Sequence, residues 1–194
     1  MNFNKAEEYI LGKLKKDLNP NLFYHCYHHT IDVFKSACCL AEMEKISDND
    51  LIILKTAALY HDSGFLLDYN NHEDESCKMV SQILPTFDYT SKEIEIIINL
   101  IKSTKLPQSP KTQLEKILCD ADLDYIGRDD FFMIAHKLFC EWHKNGIIIS
   151  LSKWYQIQVD FLLKNNYFTL SAITLRDAKK KENLEEILNL LKEI

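Results

Sequence analysis

The sequence predicts an all-α fold, a single compact domain of about eight to nine helices over residues 1–194. Glycine and proline number only 4 each in 194 residues, so few points along the chain favour turns or hairpins. Apolar residues recur at spacings of three and four along most of the chain, which is the period of amphipathic helices. The one segment with strand character, GIIIS at 146–150, is too isolated to build a sheet.

Capping residues set the order of the predicted helices. Ser47 or Asp48 is suited to begin the third helix and Thr112 a later one, because their side chains accept a hydrogen bond from a free backbone N–H group. The fourth helix follows a polar loop at 68–76 and ends at residue 84. The other helices are predicted over residues 3–17, 27–46, 49–61, 91–103, 112–126, 130–144, 151–165 and 171–193.

Charge and composition restrict the classes of function. The formal net charge is −6, so the chain lacks the electrostatic footprint of a general nucleic-acid binder, while a local basic pocket for a small phosphate compound stays open. No apolar run has the form of a signal peptide or a membrane span, and we therefore predict a cytoplasmic protein with no membrane partner. The six cysteines form no CxxC pair and are predicted to be reduced thiols. The sequence leaves a homodimer open.

A carboxylate in apolar surroundings appears in ALYHDSGF, residues 58–65. Asp62 ends a run of apolar helical residues. Its neighbours one helical turn away are apolar on both sides: Ala58, Leu59, Phe65 and Leu66. A carboxylate in this setting is costly unless it is charge-paired, protonated or bound to a metal.

Five of the seven histidines lie within 48 residues, each near a predicted helix end or turn: His25, His28, His29, His61 and His72. His25 and His29 are four residues apart and share a helix face, whereas His28 points elsewhere and is expected to be partly exposed. Imidazole nitrogen and carboxylate oxygen together, without thiolate, suit Mn, Fe, Zn, Ni or Mg and favour a catalytic over a structural metal site. His136 and His143 are predicted to be surface residues.

Three carboxylates follow one another in CDADLD, and their helical neighbours distinguish them. Asp122 is surrounded by largely apolar residues three and four positions away: Leu118, Cys119, Tyr125 and Ile126. Asp120 has Lys116 four residues before it, and Asp124 can pair with Arg128. We therefore predict that Asp122 needs a strong partner such as a cation, and that Asp120 and Asp124 form ordinary surface pairs.

Several segments share an order with a known family: YHCYHHT…V (24–33), ALYHDSGF (58–65), HEDES (72–76), LP (84–85) and ILCDADLDYIG (117–127). Together they resemble the HD-domain superfamily of metal-dependent phosphohydrolases, in the order H…HD…D, over about residues 24–130. The resemblance implies an all-α fold with one or two divalent ions, of Mn, Fe, Ni, Co, Zn or Mg. The implied metal ligands are His29, His61, Asp62 and Asp122.

The resemblance also implies an activity, the cleavage of a phosphate ester or anhydride of a small nucleotide or related phosphate compound. The enzyme would be of the phosphodiesterase, nucleotidase or pyrophosphohydrolase type. One alternative is a non-catalytic signalling module that binds a metal or a nucleotide. A third reading is an HD-type diiron oxygenase, which would need more histidine ligands, and only His72 is spare in that region.

The roles of the remaining polar residues follow in part from the same resemblance. Asp62 is implied to be catalytic as well as a metal ligand. His72 is similar to an additional histidine that binds a second metal or the substrate phosphate in many relatives; the alternative is a solvated loop residue. Glu73 is either a general base or, as we favour, an acid in the first turn of a helix.

Two further expectations come from the residues themselves. His25 either orients His29 or Asp32, or caps its helix. A substrate phosphate needs cationic partners, and the candidates are Lys102, Lys105 and Arg128.

Overall fold

The computed structural model describes residues 1–193, which contain nine α-helices, three short 3₁₀ turns and no strand. The predicted all-α fold is confirmed; Ile194, the last residue of the predicted domain, lies outside the described residues. The helices are α1 (Phe3–Asp17), α2 (Tyr27–Met43), α3 (Asp48–Tyr60), α4 (His72–Ile83), α5 (Ser91–Thr104), α6 (Gln113–Asp122), α7 (Phe131–Lys144), α8 (Leu151–Lys164) and α9 (Leu170–Glu193). The 3₁₀ turns are Ser63–Leu66, Leu84–Phe87 and Asp124–Gly127.

Side-chain caps begin several helices where the sequence predicts them. Ser47 accepts a hydrogen bond from the backbone at the start of α3, and Thr112 does so in a capping box with Glu115 at the start of α6. Helix α5 also begins with a capping box, formed by Thr90 and Glu93. These ends are fixed by local chemistry, because each cap lies within three residues of its partner.

Two helices are shorter than predicted. Helix α2 ends at Met43, and Lys45 just after it has a left-handed backbone (φ 56°), which stops the helix. Helix α6 ends at Asp122, where Leu123 leaves the helical conformation (φ −101°, ψ 15°) and the chain continues into the 3₁₀ turn Asp124–Gly127. The change of helix type between Asp122 and Asp124 turns their side chains into different surroundings.

One hydrophobic core joins residues of all nine helices, from Ala6 in α1 to Ile187 in α9. Helices α2, α3 and α6 pack together at its centre, α4 packs on α5, and α8 packs on α9. Helix α9 also packs on the 3₁₀ turn after α6, where the Asn183 amide donates hydrogen bonds to the carbonyl oxygens of Ile126 and Arg128. None of the described helices combines the length and the apolar character needed to cross a membrane.

Candidate metal centre

The ends of three central helices bring four polar side chains together, and we call His29, His61, Asp62 and Asp122 the metal cluster. His29 lies on the first turns of α2, His61 and Asp62 directly follow α3, and Asp122 ends α6. His29 Nε2 lies 3.4 Å from both Asp62 Oδ2 and Asp122 Oδ1. His61 Nε2 lies 3.2 Å from Asp62 Oδ2 and 3.6 Å from Asp122 Oδ1.

The metal cluster contains buried polar atoms without a partner. His29 Nε2, His61 Nε2 and Asp62 Oδ2 are buried and have no hydrogen-bond partner, although they face one another. Leaving such atoms unsatisfied costs free energy in a protein interior. His61 Nδ1 donates to the carbonyl oxygen of Ala58 at 2.9 Å, and this bond turns the lone pair of Nε2 toward the cluster.

These donors fit a divalent metal ion. Ligand atoms of His29, His61 and Asp122 lie within 4.8 Å of one another, and Asp62 Oδ2 adjoins both imidazoles. An ion with ligand bonds of about 2.0–2.2 Å would space neighbouring ligand atoms by about 3.0–3.5 Å, which agrees with the N···O distances observed. Two imidazoles and two carboxylates, without thiolate, are the ligand types expected around such an ion.

Without a metal, the histidines and the carboxylates of the metal cluster stabilise each other's charged forms. Burial disfavours the charged form of His29, but the carboxylates of Asp122 and Asp62 outweigh it and raise the pKa of His29 from 6.5 to about 9. The pKa of His61 is also raised, because the same carboxylates outweigh the burial of its ring. Burial opposes the ionisation of Asp122, yet the two histidines lower its pKa to about 2. They likewise lower the pKa of Asp62.

His72 stands beside the metal cluster and is not a solvated loop residue. It is the first residue of α4, its Nε2 lies 3.7 Å from Asp62 Oδ1, and its ring stacks on Phe65 with centroids 4.0 Å apart. Gly64 makes this approach possible, because a Cβ there would collide with the backbone carbonyl of His72. Glu73 follows in the first turn of α4 and is buried, with Oε1 3.6 Å from His72 Nε2.

Glu141 is a functional candidate that the sequence did not reveal. This fully buried carboxylate of α7 accepts a hydrogen bond from His25 Nδ1 at 2.5 Å and one from the Tyr69 hydroxyl at 3.1 Å. Its other oxygen accepts from the backbone N–H groups of Tyr24 and His25. Burial opposes the ionisation of Glu141, but its bond to His25 lowers the pKa of the carboxyl. The one feature of the sequence that could have drawn attention to Glu141 is that it is the only acidic residue in α7.

His25 has one partner that was not predicted, Glu141, and its ring also lies edge-on to the ring of His29, with centroids 6.0 Å apart. Its Nδ1 bonds to Glu141, and the carboxylate of Asp32 accepts instead from Arg128 Nη1 at 2.8 Å. The His25 ring stacks on Phe65 with centroids 4.2 Å apart, and the centroids of His25 and His72 are 6.0 Å apart, so the three rings form one cluster. This stack joins the start of α2 to the start of α4 beside the metal cluster.

A cavity of about 480 Å³ opens beside the metal cluster. Asp62 and Asp122 reach it from one side, with His72 and Glu73 next to them. The rest of its wall is largely aromatic and aliphatic, and includes Phe65, Tyr69, Leu138, Trp142, Ile157 and Phe161. Helices α7 and α8, which carry no motif, thus complete the cavity. A larger depression of about 770 Å³, between Phe23 and α7, contains none of the metal-cluster residues.

The cationic residues predicted to contact phosphate lie in different places. Lys105 lines the cavity, with its Nζ 3.8 Å from Glu73 Oε2. Lys102 is exposed and is not among the residues that line the cavity. Arg128 lines a smaller depression beside His29, and its guanidinium already donates hydrogen bonds to three carboxylates, those of Asp32, Asp124 and Asp130.

The other two carboxylates of CDADLD are buried, so the prediction of ordinary surface pairs is wrong for them. Asp120 is 1% exposed and accepts hydrogen bonds from the backbone N–H groups of Phe168 and Thr169 and from the Thr169 hydroxyl. Asp124 does pair with Arg128, as predicted, and also accepts from Arg176 Nε at 2.6 Å. Their partners lie on the loop before α9 and on α9, which the local sequence does not show.

His28, His136 and His143 are exposed, as predicted. They lie outside the metal cluster and the adjoining cavity.

The sequence profile of the HD domain matches residues 26–124, about half of the chain. No curated protein matches the sequence. The matched residues include all four members of the metal cluster, as well as His72.

Solved structures share the fold over nearly the whole chain. The Lin1889 protein from Listeria innocua is 23% identical with a TM-score of 0.68, over 100% of this chain and 97% of its own. YpgQ from Bacillus subtilis, in complex with ADP, is 20% identical with a TM-score of 0.68 and the same coverage. A predicted HD superfamily hydrolase from an uncultured Thermotogales bacterium is 22% identical with a TM-score of 0.63, over 98% of this chain and 91% of its own.

Proposed function

The chain belongs to the HD-domain family, and on that premise we propose that it is a metal-dependent phosphohydrolase. In this proposal it cleaves a phosphate ester or anhydride of a small nucleotide or a related phosphate compound. The observation that carries the proposal is the set of buried, unpartnered atoms of the metal cluster, His29 Nε2, His61 Nε2 and Asp62 Oδ2. Such atoms are costly in an interior unless an external cation satisfies them.

In this proposal the metal cluster would bind the ion, and His72 and Asp62 would have additional roles. His29, His61, Asp62 and Asp122 would hold a divalent ion, with His72 available toward a second one. The bound ion would supply Lewis-acid polarisation of a phosphoryl oxygen and would lower the pKa of a nearby water toward neutrality. Asp62 is the ligand nearest to His72, so it would also orient the reacting groups on the cavity side.

The phosphate would lie between the metal cluster and the rim of the cavity. His72 and Lys105 both line the cavity and carry N–H groups that can donate to phosphate oxygens. The aromatic residues of the same cavity would exclude water and strengthen these interactions.

Three observations favour a nucleotide over other phosphate compounds. The cavity volume of about 480 Å³ lies in the usual range for small-molecule sites. Its wall contains aromatic rings such as Tyr69 and Trp142, on which a planar base can stack. YpgQ, which shares the fold, is in complex with ADP.

Phosphate release from a panel of nucleotides tests the proposal. The protein is dialysed against chelator and then assayed with Mn²⁺, Ni²⁺, Co²⁺ or Mg²⁺. We expect release that depends on added metal, and undiminished activity in excess chelator would contradict the proposal. A protein that binds metal but releases no phosphate would be the binding module, and one that holds two irons and consumes oxygen would be the oxygenase.

A further inference from the structure

Two buried tyrosines beside the metal cluster differ from the other buried tyrosines in how their hydroxyl groups are satisfied. Five tyrosines are buried in residues 1–193, and the hydroxyls of three of them bond to protein atoms at 2.7–3.4 Å: Tyr60, Tyr89 and Tyr167. The hydroxyls of Tyr24 and Tyr125 form no hydrogen bond of this length in the same residues, although the two side chains are as deeply buried. A phenylalanine would fill either position without bringing a polar group into the interior. The two hydroxyls therefore serve no packing role, and their partner lies outside the protein.

The Tyr125 hydroxyl opens toward the cavity beside the metal cluster. Both tyrosines line that cavity together with Asp62 and Asp122. Neither hydroxyl is among the enclosed, unpartnered atoms of the described residues, which include His29 Nε2, so each hydroxyl reaches an open surface. Tyr24 also borders the smaller depression beside His29, whereas Tyr125 does not. The open surface of Tyr125 is therefore that of the cavity.

The two hydroxyls lie near each other and near Asp122. Burial raises the pKa of Tyr24, and Tyr125 and Asp122 raise it further. Burial also raises the pKa of Tyr125; the Tyr24 hydroxyl opposes this shift, and the charge of Asp122 adds to it. The Tyr24 ring packs edge-on to that of Tyr125 with centroids 5.5 Å apart, and lies 4.7 Å from the ring of His29. Both hydroxyls therefore keep their protons and are hydrogen-bond donors at the edge of the metal cluster.

We propose that the hydroxyls of Tyr125 and Tyr24 donate hydrogen bonds to an oxygen of a phosphate group bound beside the metal cluster. The proposal rests on the proposed function, since it takes the ligand to be a phosphate compound. A phosphate oxygen is a charged acceptor, and hydrogen bonds to charged acceptors are the strong ones. A lysine or arginine at this place would pair with Asp62 or Asp122 and compete with the ion for them. A neutral hydroxyl can contact the phosphate and leave both carboxylates to the metal.

Calorimetric titration of inorganic phosphate into the Mn²⁺-loaded protein tests the role of the two hydroxyls. Tyr125→Phe and Tyr24→Phe should each weaken phosphate binding by at least about tenfold, because each removes one hydrogen bond to a charged acceptor and keeps the aromatic ring. The affinity for Mn²⁺, titrated separately, should not change. A tyrosine that only held Asp122 in position would lower the affinity for Mn²⁺ as well.

Tyr27→Phe is the matched control. Tyr27 lies on α2 three residues after Tyr24 and is not among the residues that line the cavity, so its loss of a hydroxyl should leave phosphate binding unchanged. If Tyr125→Phe does not fold, Tyr24→Phe serves the same purpose.

The titration requires no turnover. A natural protein that binds phosphate but hydrolyses no nucleotide would contradict the proposed function and leave this comparison intact. The proposal is overturned if the Mn²⁺-loaded natural protein binds no phosphate. It is also overturned if the folded phenylalanine variants bind phosphate like the natural protein, or if they lose Mn²⁺ to the same extent as phosphate.

Discussion

Two groups of buried or partly buried carboxylates meet near the end of α6, and they differ in how their charges are satisfied. In the metal cluster, Asp62 and Asp122 face the unpartnered nitrogens of two histidines. In the second group, which we call the anchor cluster, Asp120 and Asp124 accept hydrogen bonds from Thr169, Arg128 and Arg176. Both groups draw on the same short segment of sequence.

The difference separates a structural role from a functional one. The anchor cluster is complete within the protein, because its acceptors meet backbone N–H groups, a hydroxyl and two guanidinium groups, and it ties α9 and the loop before it to the end of α6. In the metal cluster, three buried atoms have no hydrogen-bond partner within the protein, and the cluster could hold an external cation. Substitutions in the anchor cluster should therefore change stability, and substitutions in the metal cluster should change metal binding and activity.

The largest expected effect is on turnover in the metal cluster. His61→Ala and Asp62→Ala should each lower metal-dependent phosphate release by at least about 100-fold, since loss of a ligand removes the charge stabilisation that the ion supplies. His28→Ala is the matched control, because this exposed imidazole precedes His29 on α2 and should leave turnover unchanged. Near-natural turnover in either ligand variant, folded by circular dichroism, would refute the site assignment.

The stability of the metal-free protein should depend on pH through His29. Its folded pKa of about 9 exceeds its ordinary value of 6.5, so the stabilisation is complete below pH 6.5 and is lost as the pH rises through 9. The His29 contribution to the loss is at most about 3.4 kcal/mol, and His61, whose pKa is also raised, adds to the loss in the same direction. Urea unfolding in chelator at pH 6.0, 7.5 and 9.5 measures it, and saturating metal should abolish the decline because the ion then takes the place of the proton. A metal-free stability that rises over this range would contradict the account.

Substitutions in the anchor cluster should lower stability without affecting the metal. Asp124→Asn and Asp120→Asn should each reduce the free energy of unfolding by about 1–3 kcal/mol, because each weakens buried charge-assisted hydrogen bonds. Chemical unfolding with and without Mn²⁺ provides the measurement. The reduction should be the same in both conditions. A reduction that appears only with Mn²⁺ would instead indicate that the residue contributes to metal binding.

The smallest expected effect belongs to His72, which adjoins the metal cluster. His72→Ala should lower turnover or substrate affinity by about tenfold, as expected for the loss of one contact to a charged phosphate, and should leave one metal ion bound. Steady-state kinetics with metal analysis measures both quantities, and His136→Ala, which removes an exposed histidine of α7, is the control. Unchanged kinetics would exclude His72 from the reaction.

The sequence predicts most of the helices, because their signals are local. Helix α1 has the predicted bounds, and the caps at Ser47 and Thr112 lie within three residues of the groups they bind. The end of α6 is harder to predict, since the sequence has no helix-breaking residue at Leu123, where the chain changes to a 3₁₀ turn. The period of apolar residues continues through this point, and only tertiary packing interrupts the helix.

The sequence also predicts the metal cluster. The apolar setting of Asp62 and Asp122 is visible within one helical turn of each, and the resemblance to the HD-domain family implies His29 and His61 beside them. It does not reveal partners that are distant along the chain. Asp120 meets Thr169 across 49 residues, and His25 meets Glu141 across 116 residues. The residues one turn from Asp120 are half apolar, Ile117 and Leu123, and half charged, and those one turn from Glu141 are mostly polar, so the local pattern does not show that either residue is buried.

Calorimetric titration of Mn²⁺ into chelated protein tests most directly whether the metal cluster is completed by a cation. The natural protein and Asp120→Asn should bind Mn²⁺ with the same stoichiometry and affinity, since the Asp120 carboxylate is satisfied within the protein. Asp122→Asn should lose this binding, because it removes a charged ligand that faces His29 and His61. If Asp122→Asn binds Mn²⁺ like the natural protein, the cation is not held by this cluster and the account is contradicted.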